Sequence, residues 1–387
     1  MWRRQLPVYS PLSFAAVMAA WGGGDPRSAV RDALVRTTGA KEVLLTDSGT
    51  SALALALRAA AARRSGLPCA LPGYGCFDLI TAAGTAGVGV VLYDVDPASL
   101  LPDMASLERA LAHGVSSVVV VHHYGLPVPL PPVRAAAERT GALLIEDAAQ
   151  AAGGAFDGVS LGAGGDFGIL SFGRGKGLTG GGGGALLART ADLIAEASAG
   201  LLPAAESGNF AFGPKMLAQW ALGRPSLYAI PSRIPFLRLG ETVYREPQPT
   251  SSMRAASARV LRHTLPMLEQ ELALRSARAA ELRARVVEGR GGRIISPRPG
   301  GRPAWLRLPV AGGRTDEAVR RGGALGCVPG YPLALTDLPA AQSRLVAPAV
   351  TPGSRELSAR LWTAPVHSLL RDDDITRIAA WMESLPA

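Results

Sequence analysis

An apolar run followed by acidic and polar residues decides the fold class of this chain: Leu143-Leu144-Ile145-Glu146-Asp147-Ala148-Ala149-Gln150. Leu143 to Ile145 has the length of a buried strand, and a helical pattern from Val133 to Thr140 stops just before it. Strand-length apolar runs with helical patterns between them also occur earlier, at Val43 to Thr46, Val90 to Tyr93 and Val118 to Val121. This alternation predicts an α/β fold whose mostly parallel sheet is covered by helices on both faces.

Asp147 follows its apolar run directly and is therefore expected at the carboxyl edge of the sheet, where ligands bind. A carboxylate there suits a buried anion paired with a protonated ring nitrogen. An isolated aspartate in this position more often caps the turn that follows. A role for Asp147 in binding can therefore be inferred only together with the other candidate residues.

Lysine is rare in this chain and occurs only at Lys41, Lys176 and Lys215. Arginine cannot replace lysine where a neutral amine must attack a carbonyl, because guanidinium stays protonated. Lys41 precedes a strand and Lys215 lies in a Gly-Pro context, so both are expected at the surface. Lys176 follows the strand-like run Ile169 to Phe172 in a glycine-rich turn, which makes it the candidate for a Schiff base.

Two hydroxyl-bearing segments suit a phosphate group. Ser48-Gly49-Thr50-Ser51 opens a helix after a strand, where free amides and the helix dipole bind anions, although such a sequence is often only an N-cap. Ser171 precedes the glycines around Lys176. A P-loop is excluded, because Leu170 and Gly177 stand where that motif needs Gly and Ser or Thr. These two segments form a candidate phosphate-binding site, called the phosphate seat below. This site, an anion that can pair with a ring nitrogen and an amine together fit one cofactor, pyridoxal 5′-phosphate (PLP).

Composition indicates a globular protein of 387 residues with 48% hydrophobic and 18% charged residues. No apolar run approaches the ~20 residues of a membrane span, and prolines interrupt the N-terminal apolar stretch, so a cytoplasmic protein is expected. Three cysteines and five scattered histidines show no metal-ligand spacing, and no metal site is expected. The net charge is +9, but the arginines form no dense block, and a nucleic-acid partner is not expected.

A large PLP-binding domain over residues 1–250 and a smaller α+β domain over residues 251–387 are predicted. The small domain would begin with a long helix from Ser252 to Glu288, kinked at Pro266, and continue with a strand at Ala304 to Leu308 and a helix at Asp373 to Met382.

Residues 201–249 break the alternation and form an irregular apolar insertion that we expect to shape a substrate entrance. Its arginines Arg224, Arg233 and Arg238 suit the phosphates of a sugar nucleotide or the headgroups of a membrane, and packing against a partner subunit is favoured over membrane contact. Its apolar side chains need burial: Trp220, Leu222, Leu227, Tyr228, Ile230, Ile234, Phe236 and Leu237.

Five motifs follow one another in an order typical of one family: Ser48 to Leu53, Asp94-Val95-Asp96 with Leu101 and Asp103, Val121 to Gly125, Glu146 to Gln150, and Ser171-Phe172 with Lys176. Through them the chain resembles the DegT/StrS family of PLP-dependent sugar aminotransferases, which have fold type I. The resemblance implies a homodimer with active sites at the interface. It also implies that Lys176 carries the Schiff base, that Asp147 pairs with the pyridinium, and that further residues hold the cofactor: Gly49, Thr50, Ser51, Gln150 and Ser171.

Two positions depart from the family pattern. Cys76 stands where an aromatic residue often stacks on the cofactor ring, with Phe77 or Tyr74 as substitutes. Thr250-Ser251-Ser252-Met253 stands where the family has Asn-Tyr-Arg-Met, through which a neighbouring subunit reaches the phosphate.

The function that the resemblance implies is transfer of an amino group from glutamate, leaving 2-oxoglutarate, to a nucleotide-linked keto sugar in surface-polysaccharide or secondary-metabolite biosynthesis. Family members with histidine in place of the lysine are dehydratases, whereas this chain keeps Lys176. A cyclitol or another ketone as substrate, and a non-catalytic regulator that retains the fold, remain as alternatives.

Overall fold

The computed structural model describes residues 3–206, 209–230, 232, 242–287 and 289–386. The first part of the chain contains α1 (Phe14–Ala19), α2 (Arg27–Thr38), β1 (Glu42–Thr46), α3 (Gly49–Arg63), β2 (Cys69–Pro72), α4 (Asp78–Ala86), β3 (Val90–Tyr93), α5 (Met104–Leu111), β4 (Ser117–Val121), α6 (Pro131–Thr140), β5 (Leu143–Asp147), β6 (Ala155–Phe156), β7 (Val159–Ser160), β8 (Phe167–Ser171), β9 (Gly184–Ala188), α7 (Ala191–Ser198) and α8 (Asn209–Leu222). The second part contains α9 (Ala255–Thr264), α10 (Leu268–Arg285), β10 (Arg293–Ile294), β11 (Gly301–Arg302), β12 (Leu308–Ala311), α11 (Asp316–Ala324), β13 (Val328–Pro329), α12 (Pro339–Gln342), α13 (Pro352–Arg360), β14 (Leu361–Ala364) and α14 (Asp372–Glu383).

Seven strands form the main sheet in the order β1-β9-β8-β5-β4-β2-β3. Only β9 runs antiparallel to its neighbours, β1 and β8, so the predicted mostly parallel sheet is confirmed. Every residue of β4 is buried because helices cover both faces of the sheet. The carboxyl ends of the six parallel strands therefore point to one edge.

A second sheet follows in the order β10-β12-β14-β13, and its pairings are antiparallel. The predicted long helix is two helices, α9 and α10, separated by a 3₁₀ turn that contains Pro266, so the predicted kink is confirmed. The predicted helix near the C-terminus is α14. The predicted strand at Ala304 to Leu308 is wrong: strand β12 begins only at Leu308, because Trp305 has φ +44° and the amide of Leu306 bonds to Tyr124 instead.

The segment 201–249 is partly regular, since it contains α8. Of the residues singled out there, Arg233, Ile234, Phe236, Leu237 and Arg238 lie outside the described part of the chain. The guanidinium of Arg224 lies over the ring of Trp220, 4.2 Å from its centroid. A domain division near residue 250 stays a prediction.

Asp94 joins the two sheets through the N-terminus of α13. Its carboxylate accepts hydrogen bonds from the amides of Gly353 and Ser354, both at 2.8 Å, and from the Ser354 hydroxyl at 2.6 Å. First-turn amides of a helix have no partner within the helix, so Asp94 acts as a cap from another part of the chain. Within the described ranges, no helix is both long and apolar enough to cross a bilayer.

Candidate active site

One pocket opens at the carboxyl edge of the main sheet, where four connections meet. Residues from the start of α3, the β2–α4 turn, the end of β5, the end of β8 and the turn after β8 line it: Gly49, Thr50, Leu53, Cys76, Asp78, Leu79, Asp147, Ala149, Ile169, Ser171 and Lys176. Six of the nine residues predicted from the sequence to bind the cofactor are therefore brought together here. Phe77, Ser51 and Gln150 are not among the lining residues.

The start of α3 forms one end of the pocket. Ser48 is the N-cap, and its side-chain oxygen accepts a hydrogen bond from the amide of Ser51 at 3.0 Å. A β-carbon added to Gly49 would lie 2.8 Å from the β-carbon of Ser171, closer than real contacts allow. Only glycine therefore fits between α3 and β8, which brings the first turn of α3 close to the Ser171 side chain, and Thr50 lines the same pocket.

Asp147 ends β5 and its Oδ1 accepts a hydrogen bond from the amide of Ala149 at 3.0 Å. Burial raises the pKa of the Asp147 carboxyl, while the Ala149 amide and the nearby charge of Lys176 act in the opposite direction. Burying an anion is costly unless a cation is close, and a protonated ring nitrogen would supply one.

The turn that carries Lys176 is held by buried groups outside the main sheet. The hydroxyl of Ser10 donates to the carbonyl oxygen of Lys176. Arg275 is 1% exposed, pairs with Glu271 at 3.2 Å, and donates to the carbonyl oxygen of Gly177 at 3.1 Å. These contacts fix the backbone on both sides of the lysine and so limit where its amine can reach.

The expected aromatic partner of the ring is not at the pocket wall. Cys76 lines the pocket, and burial, followed by the nearby Asp78, raises the pKa of its thiol to about 12, so the thiol stays neutral. Phe77 packs in the main hydrophobic core, 4% exposed. Tyr74 is also buried, with its hydroxyl 2.9 Å from that of Tyr124.

Gln150 uses both ends of its amide to join the two sheets. Its Oε1 accepts from the amide of Tyr124 at 2.8 Å, and its Nε2 donates to the hydroxyl of Tyr331 at 2.5 Å.

Tyr331 comes from the C-terminal part of the chain, and no sequence pattern had singled it out. Asp78 was also missed, although its place at the start of α4, two residues after Cys76, is a signal that could have found it.

The segment Thr250 to Met253 contacts its own chain. The amide of Asp47 donates to the carbonyl oxygen of Ser251, and the Ser251 hydroxyl donates to the Asp47 carboxylate, both at 2.8 Å. The segment therefore lies beside the start of α3, next to the phosphate seat.

Residues 18–207 match the DegT/DnrJ/EryC1/StrS aminotransferase family. These residues are similar to the aminotransferases of that family. The resemblance predicted from the five motifs is confirmed by this match.

Curated relatives of the family match part of the chain. The L-glutamine:2-deoxy-scyllo-inosose aminotransferase of Streptoalloteichus tenebrarius is 38% identical over 157 residues, which cover 38% of this chain and 34% of that protein. The UDP-N-acetyl-3-dehydro-alpha-D-glucosamine 3-aminotransferase of Acidithiobacillus ferrooxidans is 36% identical over 149 residues, covering 38% of this chain and 40% of that protein. The aligned part thus spans between 34% and 40% of these two relatives.

Solved structures share the fold over nearly the whole chain. The sugar aminotransferase CalS13 from Micromonospora echinospora has a TM-score of 0.76 at 21% identity, covering 97% of this chain and 98% of its own. The Escherichia coli GDP-4-keto-6-deoxy-D-mannose-3-dehydratase, described with bound hydrated PLP, has a TM-score of 0.77 at 14% identity, covering 98% of this chain and 99% of its own. The predicted fold type I architecture is confirmed.

The cofactor is pyridoxal 5′-phosphate, and the residues of the pocket fit it. The space kept free by Gly49 beside Ser171 suits the phosphate, because a side chain at Gly49 would fill it. Asp147 offers a half-buried anion to the ring nitrogen, and Lys176 lines the same pocket with an amine.

Proposed function

We propose that this chain is a PLP-dependent aminotransferase that moves an amino group from glutamate or glutamine to the ketone carbon of a sugar. The observation that carries the proposal is that one pocket is lined by Lys176, Asp147 and the Gly49–Ser171 seat. The bound cofactor supplies an electron sink for the carbon that gains or loses the amino group.

Each residue has a separate task in this reaction. The Nζ of Lys176 moves a proton to and from the reacting carbon, acting as general acid and base. The Asp147 carboxylate keeps the ring nitrogen protonated, and the amide of Ala149 orients it. The buried Arg275 holds the lysine turn through Gly177, so that the amine returns to one position.

Two arginines support a phosphorylated acceptor. Burial raises the pKa of Tyr228, and the positive charges of Arg4, Arg174 and Arg307 act on it in the opposite direction. Among the ion pairs of the described residues none includes Arg4 or Arg174, and Arg174 is exposed two residues before Lys176. An exposed guanidinium group without an ion pair, so close in sequence to Lys176, suits the diphosphate of a nucleotide-linked sugar.

A cyclitol is the second candidate acceptor. The relative from Streptoalloteichus tenebrarius is named for 2-deoxy-scyllo-inosose and for L-glutamine as donor. A cyclitol carries no phosphate, so it would not need Arg4 and Arg174. The role of these two arginines therefore separates the two candidates.

The first experiment tests the cofactor lysine. Borohydride reduction of the holoenzyme and peptide mapping should place the label on Lys176. Lys41→Arg and Lys215→Arg should be labelled as the wild type, and Lys176→Arg should not. A label on Lys41 or Lys215 would contradict the proposed function.

The second experiment tests the substrates. Keto sugars linked to UDP, TDP or GDP, and scyllo-inosose, are each incubated with glutamate or glutamine, and the products are read by mass spectrometry. With an accepted nucleotide sugar, Arg174→Gln should raise the KM for the sugar, whereas Arg320→Gln, an exposed change on α11, should not. Amination of scyllo-inosose alone would select the cyclitol.

We further propose that two copies of the chain form a homodimer. Phe14 and Met18 on α1, Trp21 just after it and Leu217 on α8 are 43–55% exposed, and a partner subunit would cover such an apolar surface. Light scattering at micromolar concentration should give twice the mass of the chain, and a monomer would contradict this part of the proposal.

A further inference from the structure

One carboxylate of the cofactor pocket has no role in the reaction described above. Asp78 is the first residue of α4, is half-buried, and lines the pocket together with Asp147 and Lys176. Within the described part of the chain its carboxylate has neither a hydrogen bond nor an ion pair. A half-buried carboxylate has lost part of its hydration, so a free one that lines a pocket is expected to bind a group of the ligand.

The position of Asp78 at a helix start does not use up its carboxylate. Asp374, in the first turn of α14, accepts a hydrogen bond from the amide of Arg371 at 3.0 Å and pairs with Arg3 at 2.9 Å. The carboxylate of Asp78 has no such contact among the described residues, and the N-cap of α4 is Phe77. The helix dipole favours the negative charge there and leaves both carboxylate oxygens free.

The charges of the pocket show what kind of group is missing. Among the lining residues, the titratable side chains are those of Cys76, Asp78, Asp147 and Lys176. Burial, followed by the charge of Asp78, raises the pKa of the Cys76 thiol to about 12, so the thiol stays neutral. Two carboxylates therefore face one amine. Burial also raises the pKa of Asp147, and the charge of Asp78 adds to that rise, so the two carboxylates disfavour each other until a further cation enters.

The cofactor brings a cation at one end and an anion at the other. A carboxylate beside the phosphate would oppose binding of PLP, whereas a carboxylate beside the protonated ring nitrogen supports it. The phosphate seat consists of the start of α3 and the end of β8, and Asp78 belongs to neither. Its charge acts on Cys76 and on Asp147, and Asp147 is the residue proposed to pair with the ring nitrogen.

We propose that Asp78 is a second carboxylate for the ring nitrogen of PLP, so that two anions rather than one keep this nitrogen protonated. The inference rests on the role proposed for Asp147 and adds a residue of α4 to it. The Oδ1 of Asp147 is oriented by the amide of Ala149, which suits a directed hydrogen bond. Asp78 has no orienting contact within the described residues and contributes its charge.

The test measures the ring nitrogen directly, in the PLP-loaded enzyme without donor or acceptor. The protein is loaded with PLP whose ring nitrogen is isotope-labelled, and the NMR shift of that nitrogen is followed as the pH is raised. Asp147→Asn should titrate at a lower pH than the wild type, because one anion is lost. Asp78→Asn in the Asp147→Asn background should lower the midpoint by about one further pH unit or more.

Further variants separate charge from packing. Asp78→Glu in the Asp147→Asn background keeps the charge and should retain most of the midpoint. Asp316→Asn, at the exposed first residue of α11, is the matched control and should leave the midpoint unchanged. Asp78→Asn alone should also lower the midpoint, which keeps the test decisive if the double variant binds too little cofactor.

The outcomes separate this inference from the proposed function. If Asp78→Asn leaves the midpoint unchanged in both backgrounds, the inference is wrong, while the aminotransferase function and the role of Asp147 stand. If it raises only the half-saturating concentration of glutamate, the carboxylate binds the ammonium group of the donor and the inference is equally wrong. If Asp147→Asn keeps the wild-type midpoint, the role of Asp147 fails and this inference with it. If Lys176 carries no cofactor, the proposed function itself fails.

Discussion

Gly49 and Ser171 lie so close together that a β-carbon on Gly49 would come within 2.8 Å of the β-carbon of Ser171. The two residues belong to the start of α3 and the end of β8, which are 122 positions apart in the sequence and meet only in the folded chain. The contact brings the amides of a helix N-terminus beside a hydroxyl. It is this pairing that forms the proposed phosphate seat.

Gly49→Ala should weaken PLP binding, because the new methyl group pushes the helix start away from Ser171. We expect a loss of roughly 10-fold in affinity, which corresponds to about 1.4 kcal/mol. Absorbance titration of the cofactor-free protein measures it. Gly23→Ala is the control, since Gly23 has no heavy atom within 4 Å of the added carbon. Equal affinity in wild type and Gly49→Ala would place the phosphate elsewhere.

Asp147→Asn should keep much of the cofactor but lose most of the aminotransferase rate. The amide has the same shape and cannot supply the charge that keeps the ring nitrogen protonated, and losing such an electrostatic partner costs about 10²-fold or more. The measurements are the turnover rate and the cofactor absorbance of the purified variant. A turnover rate close to the wild-type value would show that Asp147 is only structural.

Asp94→Ala should destabilise the protein by roughly 2–4 kcal/mol, because the cap of α13 and its charge-assisted hydrogen bonds are lost together. Chemical denaturation gives the free energy of unfolding. Glu356→Ala, an exposed change on the same helix, is the matched control and should cost less than about 0.5 kcal/mol. A similar loss in both variants would contradict the role of Asp94 as the cap.

Two buried histidines should make the protein less stable in mild acid. Burial lowers the pKa of His123 to about 3 and that of His367 to about 4, from the usual 6.5. Below pH 6.5 the unfolded chain therefore binds protons that the folded chain does not, so the free energy of unfolding falls as the pH falls. Each histidine contributes about 1.4 kcal/mol per pH unit until its folded pKa is reached.

Denaturation curves at pH 7, 6 and 5 measure this dependence. His123→Phe should reduce the slope by about one proton per molecule, whereas His113→Gln, at an exposed position, should leave it unchanged. An unaltered slope in His123→Phe would show that His123 is protonated in the folded protein.

The fold followed from the sequence because buried parallel strands need apolar residues on both faces, and these runs are visible without a structure. Val90 to Tyr93 and Met104 to Leu111 were predicted with the bounds that the structure has. The strand at Ala304 was misplaced because the left-handed φ of Trp305 is imposed by the loop around Tyr124, a contact distant in sequence. Local patterns cannot show such a contact.

The sequence by itself determined the chemical groups of the site, namely the rare lysine at Lys176, the aspartate after a buried strand and the hydroxyls at the start of α3. Only the tertiary structure decided which of them meet, placing Cys76 at the pocket wall and Phe77 in the core. It also decided that the Nε of Arg307 is buried without a hydrogen-bond partner among the described residues. Residue type fixes what a group can do, whereas burial and neighbours, set by contacts between distant segments, fix its charge, its free hydrogen-bonding edge and its access to substrate.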